Sequence, residues 1–119
     1  MLRIKIIVLL IFAIIAATAC FNSKTPPYSI AESKTYEASL FRQHCSICHG
    51  PEGEGKTLDD GRIVPSLRGG ELKKITAGDI YRQIAEGGNG MTPFRDILTE
   101  RELKLLTDLV VGDLRKDKK

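Results

Sequence analysis

Five consecutive residues, Cys45-Ser46-Ile47-Cys48-His49, hold two thiols and an imidazole at a spacing that suits one kind of chemistry. In a helix Cys45 and Cys48 stand three apart, and His49 stands four from Cys45, so all three face one way. The thiols can then add to two vinyl groups of a haem while the imidazole ligates its iron, as a C-x-x-C-H run does in covalent haem attachment. Two other readings share the spacing. A thioredoxin-type redox pair wants a βαβ context that the chain does not show. A zinc site needs four ligands, and Cys20, Cys45, Cys48, His44 and His49 do not supply a second half. His44 lies roughly 100° around the helix from Cys45 and reads as a solvated or packed side chain.

The elements that must position these groups lie in a chain of 119 residues, one domain at most. Arg3 and Lys5 precede an uncharged apolar run from Ile6 to Ala19, which reads as a secretory signal over residues 1–19 with small residues at its end. A retained membrane-spanning helix is the alternative, since the run is only a little shorter than the roughly 20 residues a span needs. Cys20 is the odd cysteine. Ala17-Thr18-Ala19-Cys20 resembles a bacterial lipobox, with Ala17 where leucine is favoured, and that resemblance implies lipid on Cys20. Residues 20–34, with Pro26-Pro27 among Asn, Ser, Lys and Thr, read as a flexible tether. Residues 35–119 then form the folded unit.

Removal of residues 1–19 takes Arg3 and Lys5 from 18 basic residues, leaving 16 against 15 acidic, close to neutral. The basic residues are scattered rather than striped, so no nucleic-acid partner is expected. A small, tryptophan-free core would be completed by a large flat apolar cofactor.

Tyr36, Leu40 and Phe41 recur at helical intervals, and the first helix is expected from about 33–36 to Cys48. Gly50, Pro51, Gly53 and Gly55 end it in a loop without periodicity to Arg62, followed by the apolar return Ile63-Val64-Pro65-Ser66-Leu67. Thr76 caps a second helix through Ile80, Tyr81 and Ile84 to Ala85, which Gly87-Gly88 stop. Asn89-Gly90-Met91-Thr92-Pro93-Phe94 is a glycine-rich loop carrying the one methionine besides the initiator. Its thioether is a soft ligand suited to haem iron opposite a histidine, although a lone methionine is also ordinary core filler. The last helix has Thr99 as N-cap, Glu102 closing a capping box, Leu98 and Leu103 as a hydrophobic staple, and a stripe of Leu103, Leu106, Val110 and Leu114.

With these residues in hand, the run from about Tyr36 to Leu114 resembles the small single-haem class I cytochromes c of bacteria. The resemblance implies an all-α fold of three to four main helices wrapped around one covalent haem c. It also implies that Pro65 offers its carbonyl to the free nitrogen of His49, that Leu67 packs on the ring, and that Met91 is the sixth ligand. Pro65 as an ordinary turn residue remains the alternative. The chain departs from the family at the crossing of the first and last helices. Glu37-Ala38 stands where glycine is common and Gly112-Asp113 where an aromatic is common, so a looser or differently built contact is expected.

The function expected from this reading is one-electron transfer between respiratory-chain components outside the cytoplasm, with His49 and Met91 on the iron and no site for a small-molecule substrate. The partners would be redox proteins such as a terminal oxidase or reductase. The protein would be lipid-anchored to a bacterial membrane and face the periplasm or exterior. A haem subunit of a larger membrane oxidoreductase is the alternative, and a haem enzyme or gas sensor with a labile sixth ligand is the less favoured one.

Overall fold

The computed structural model describes residues 27–69 and 76–115, and Lys5 alone ahead of them. The expected signal segment, the membrane-anchor alternative and the lipid site Cys20 lie outside the described residues. Among the described residues no helix is long and apolar enough to cross a membrane.

Helix α1, Tyr36–His44, has Glu37 in its first turn and Arg42 and His44 in its last, charges that complement the helix dipole. Its buried face is Ala38, Leu40 and Phe41. Tyr36, expected on that face, is 55% exposed, and its hydroxyl donates instead to Glu102. The helix does not run unbroken to Cys48. Ser46 Oγ donates to the Arg42 carbonyl at 2.7 Å, a back-bond of the kind that bends helices, and Cys45 opens to φ −113°. A one-turn helix α2, Ser46–His49, follows and stops at Gly50, whose φ of +83° is left-handed.

The stretch expected as plain loop contains a small hairpin. β1, Lys56–Thr57, pairs antiparallel with β2, Ile63–Val64, in the register Lys56 to Val64 and Thr57 to Ile63. Strands of two residues carry no detectable alternation, which is why periodicity does not reveal them.

Helix α3, Ala77–Glu86, opens with Thr76 in a capping box closed by Asp79, and its buried residues are Ile84 and Ala85. Ile80 and Tyr81 pack partly on the core. Helix α4, Glu100–Asp108, opens on the expected box: Thr99 Oγ1 accepts from the Glu102 N–H, and Glu102 accepts from the Thr99 N–H at 2.8 Å. A π-helical turn, Leu109–Asp113, continues α4. It keeps Leu109, Val110 and Leu114 buried with Leu103 and Leu106.

The core is built where α1, α3 and α4 meet, with Phe41, Leu106, Leu109 and Leu114 almost wholly inaccessible. At the α1 and α4 crossing Ala38 is fully buried, and a surface groove lined by Glu37, Leu105, Leu109 and Gly112 opens beside it. Where a glycine and an aromatic are common in the family, this chain has a buried Ala38 and an open groove at Glu37 and Gly112. Ile30 is also fully buried. Residues 28–33, assigned by composition to the tether, are therefore part of the packed domain.

Candidate haem-binding site

Cys45 is half-buried against the core and Cys48 is exposed, so the pair runs from the interior to the rim. Burial, and then the charge of the neighbouring Cys48, push the Cys45 thiol up to about 12. A thiol held protonated is a poor attacking nucleophile, which disfavours a thioredoxin-type role. Among the described residues no three His, Cys, Asp or Glu side chains converge as a metal-ion cluster.

His49 follows on α2, and its pKa is lowered by burial, leaving the imidazole neutral with a lone pair to offer. Its Nδ1 is buried without a hydrogen-bond partner. The bond expected from His49 to the Pro65 carbonyl is not formed. An unpartnered buried imidazole nitrogen is costly and needs a function or a partner to explain it. Pro65 itself is exposed at the end of the hairpin. The backbone of 64–66 nevertheless passes close to the loop after His49: a Cβ on Gly55 would lie 2.8 Å from the Pro65 carbonyl carbon. Leu67 packs on the core beside the site, its N–H donating to the Gly53 carbonyl at 2.8 Å. Gly53 sits where Leu114, Phe41 and Leu67 converge, at a left-handed φ of +74° that favours glycine.

Met91 lies half-buried against the same core on the loop after α3. A tight turn holds it: Gly88 N–H donates to the Met91 carbonyl at 3.0 Å and Met91 N–H to the Gly88 carbonyl at 2.9 Å. Gly87 is required there, because a Cβ would sit 2.5 Å from the Met91 carbonyl oxygen and 2.7 Å from the Pro93 nitrogen. The loop is joined to the attachment helix by rings, since His44 meets Phe94 edge-on at 6.0 Å between centroids. His44 is thus a packed side chain.

Sequence reasoning missed Gln83. Its amide donates to the carbonyls of Gly87 at 3.1 Å and Gly88 at 3.0 Å, and lies 3.9 Å from Met91 Sδ. The usable signal was position, since Gln83 stands one helical turn before the Gly87 stop. It also missed Arg62, which pairs with Asp60 at 2.7 Å and donates to the Gly90 carbonyl at 3.4 Å, bridging the hairpin to the methionine loop.

Two adjacent thiols, a neutral imidazole with an orphaned nitrogen, a soft sulfur on a glycine-shaped loop and an apolar wall with Leu67 fit a covalent haem. The comparisons with known proteins agree. The family model described as "Cytochrome C oxidase, cbb3-type, subunit III" matches residues 35–110, a span that includes Cys45, Cys48, His49, Pro65, Leu67 and Met91. A solved structure, "KustC0563 c-type cytochrome", is 35% identical, covers 66% of this chain and 95% of its own, and superposes with a TM-score of 0.57. No curated protein matches. A helical fold and a haem-attachment run that both fall within the matched span lead to one conclusion: the chain belongs to the c-type cytochrome family, whose members carry covalently bound haem c.

Proposed function

We propose that this protein is a one-electron carrier in which Cys45 and Cys48 would hold the haem by thioether bonds and His49 and Met91 would ligate its iron. Haem iron supplies the chemistry, passing between ferric and ferrous states one electron at a time. The rest falls to the chain. His49 would offer a neutral nitrogen, and its second nitrogen would be the one a neighbouring acceptor orients, with Pro65 on the backbone segment that passes beside Gly55. Met91 offers a thioether, which raises the potential relative to a second histidine. The turn at Gly87 and Gly88 brings the backbone close without a side-chain clash. Leu67 and the core around Phe41 and Leu114 exclude water from one side. With His49 and Met91 both on the iron, the group would supply electron transfer rather than substrate binding.

The observation that carries this reading is the buried, unpartnered Nδ1 of His49 in a C-x-x-C-H run that follows directly on α1, whose last residue His44 meets Phe94 of the Met91 loop. The test is acid-acetone extraction of the purified protein. Haem retained by wild type and lost from a Cys45→Ala, Cys48→Ala double variant supports it, and haem released from wild type contradicts it.

Residues 1–19 act as a secretory signal in this reading. Cys20 carries lipid, placing the domain on the outer face of a bacterial membrane with redox proteins such as a terminal oxidase or reductase as partners. A second reading, a permanent haem subunit of a membrane oxidoreductase, is favoured by the matching family model, whose description is that of an oxidase subunit. Purification from native membranes separates the two: a carrier leaves the column alone, and a subunit leaves it with other chains.

A further inference from the structure

Residues 28–33 precede the span matched by the family model, yet Ile30 is fully buried in the core of the matched domain. A segment of such polar composition must be fastened to stay there, and three side chains fasten it. Arg42 of α1 donates to the carbonyls of Ile30 and, at 3.0 Å, Ser33. Glu52, three residues beyond His49, accepts from the N–H groups of Ile30 and Ala31, both at 2.8 Å, and from Ser29 Oγ at 3.1 Å. Arg68 Nη2 donates to the Tyr28 carbonyl and to Glu52 Oε2, each at 2.7 Å, and its Nε donates to the Glu52 carbonyl.

We propose that Glu52 and Arg68 are positioning residues for the His49 side of the haem, clamping the strap 28–33 onto the two loops that flank the site. The inference rests on His49 being an iron ligand. Glu52 precedes Gly53, whose carbonyl receives the Leu67 N–H at 2.8 Å, and Arg68 follows Leu67. Gly55 N–H in turn donates to the His49 carbonyl at 2.7 Å. The clamp thus sits one residue from each member of the Gly53–Leu67 bond, with Glu52 on the short loop that follows His49. Its ion pair is only 21% and 32% exposed, so its charge-assisted bonds are shielded from water. Partial burial alone would raise the Glu52 carboxyl, but the bonds from Ala31, Ile30 and Ser29 and the charge of Arg68 outweigh it and hold it below its ordinary value. Gly53 is buried between Leu114 and Phe41 at φ +74°, its carbonyl holds Leu67, and Gly55 two residues on holds the His49 carbonyl. A shift of the strap at Glu52 is therefore passed along this backbone to Leu67 and to the loop after His49.

The experiment uses the full-length, haem-loaded protein and compares Glu52→Ala, Glu52→Gln and Arg68→Lys with a control, Glu32→Ala, at an exposed position on the same strap. Two readouts are taken: the rate of tryptic cleavage at Lys34, and the haem-methyl resonances and midpoint potential of the bound haem. Glu52→Ala should speed cleavage about tenfold or more and shift both resonances and potential. Glu52→Gln, which keeps an acceptor, should do the same to a smaller extent, and Glu32→Ala should match wild type. Faster cleavage with unchanged resonances and potential would make the clamp merely structural and overturn the proposal, as would no change in either. If Glu52→Ala does not accumulate, Arg68→Lys decides in the same way, because lysine cannot reach the Tyr28 carbonyl, the Glu52 carbonyl and the Glu52 carboxylate at once. Absence of covalent haem from wild type would overturn the assignment of His49 itself, a failure seen before any variant is compared.

Discussion

Phe94, three residues beyond Met91, stands edge-on to His44, the residue before Cys45, with ring centroids 6.0 Å apart and planes at 74°. One aromatic pair thus ties the loop of the proposed sixth ligand to the end of the helix that leads into the attachment run. The backbone completes the tie, since Phe94 N–H donates to the Ile84 carbonyl and Arg95 N–H to the Ala85 carbonyl, both at 3.1 Å. Phe94→Ala should cost about 2 kcal/mol, below the range for a fully buried ring because Phe94 is only half-buried. It should also speed cyanide binding to the ferric protein by loosening the loop of Met91. Chemical denaturation and stopped-flow binding on one sample check both outcomes. A loss of stability with unchanged cyanide kinetics would mean that the ring pair does not support the ligand loop.

The start of α4 carries a proton-linked contribution to stability. The hydroxyl of Tyr36, then the hydroxyl and N–H of Thr99, hold the Glu102 carboxyl down to about 2 from an ordinary 4.5. A depressed carboxyl stabilises the fold above its unfolded pKa, and the contribution is lost as pH falls from about 4.5 toward 2. Wild type should exceed Glu102→Gln in stability by a constant margin at neutral pH, and the margin should close across that acid window. Thr99→Ala, which removes the cap, should cost about 1 kcal/mol at neutral pH. Equilibrium unfolding at a series of pH values measures both.

Cys20→Ser should release a soluble, haem-loaded protein from membranes if lipid on Cys20 is the anchor. Fractionation and intact mass spectrometry report it. A Cys20→Ser product that retains residues 1–19 and stays in the membrane would point to an uncleaved helix instead.

Legibility in the sequence followed the range of the interactions. The cap at Thr76 and the capping box of Thr99 with Glu102 were readable because the partners are neighbours in the chain, whereas the bond that Asp79 returns to the Thr76 N–H was found only in the structure. The stripe Leu103, Leu106, Val110 and Leu114 was readable for the same reason, and all four residues are buried. Ile30 was not, because what holds its segment is Arg42, Glu52 and Arg68, separated from it by loops whose geometry no local pattern reports. The kink at Cys45 depends on a serine hydroxyl choosing a backbone carbonyl one turn back, a choice that helix periodicity does not encode. At the site, the attachment run was legible as a motif and Met91 as a soft atom among glycines. Gln83 had a local signal in its place one turn before Gly87, but Arg62, 28 residues from Gly90, emerged only once the loops were placed in space.

The most direct measurement is the far-red absorption of the ferric protein, with and without Met91. Sulfur bound to ferric haem gives a weak charge-transfer band there, and with Met91 on the iron the wild-type protein should show it. Met91→Ala should abolish it, lower the potential and open the iron to carbon monoxide in the ferrous state, while the haem stays covalently attached through Cys45 and Cys48. A wild-type protein that lacks the band and binds carbon monoxide rapidly would contradict His49 and Met91 ligation, and with it the assignment of this cytochrome as a simple electron carrier.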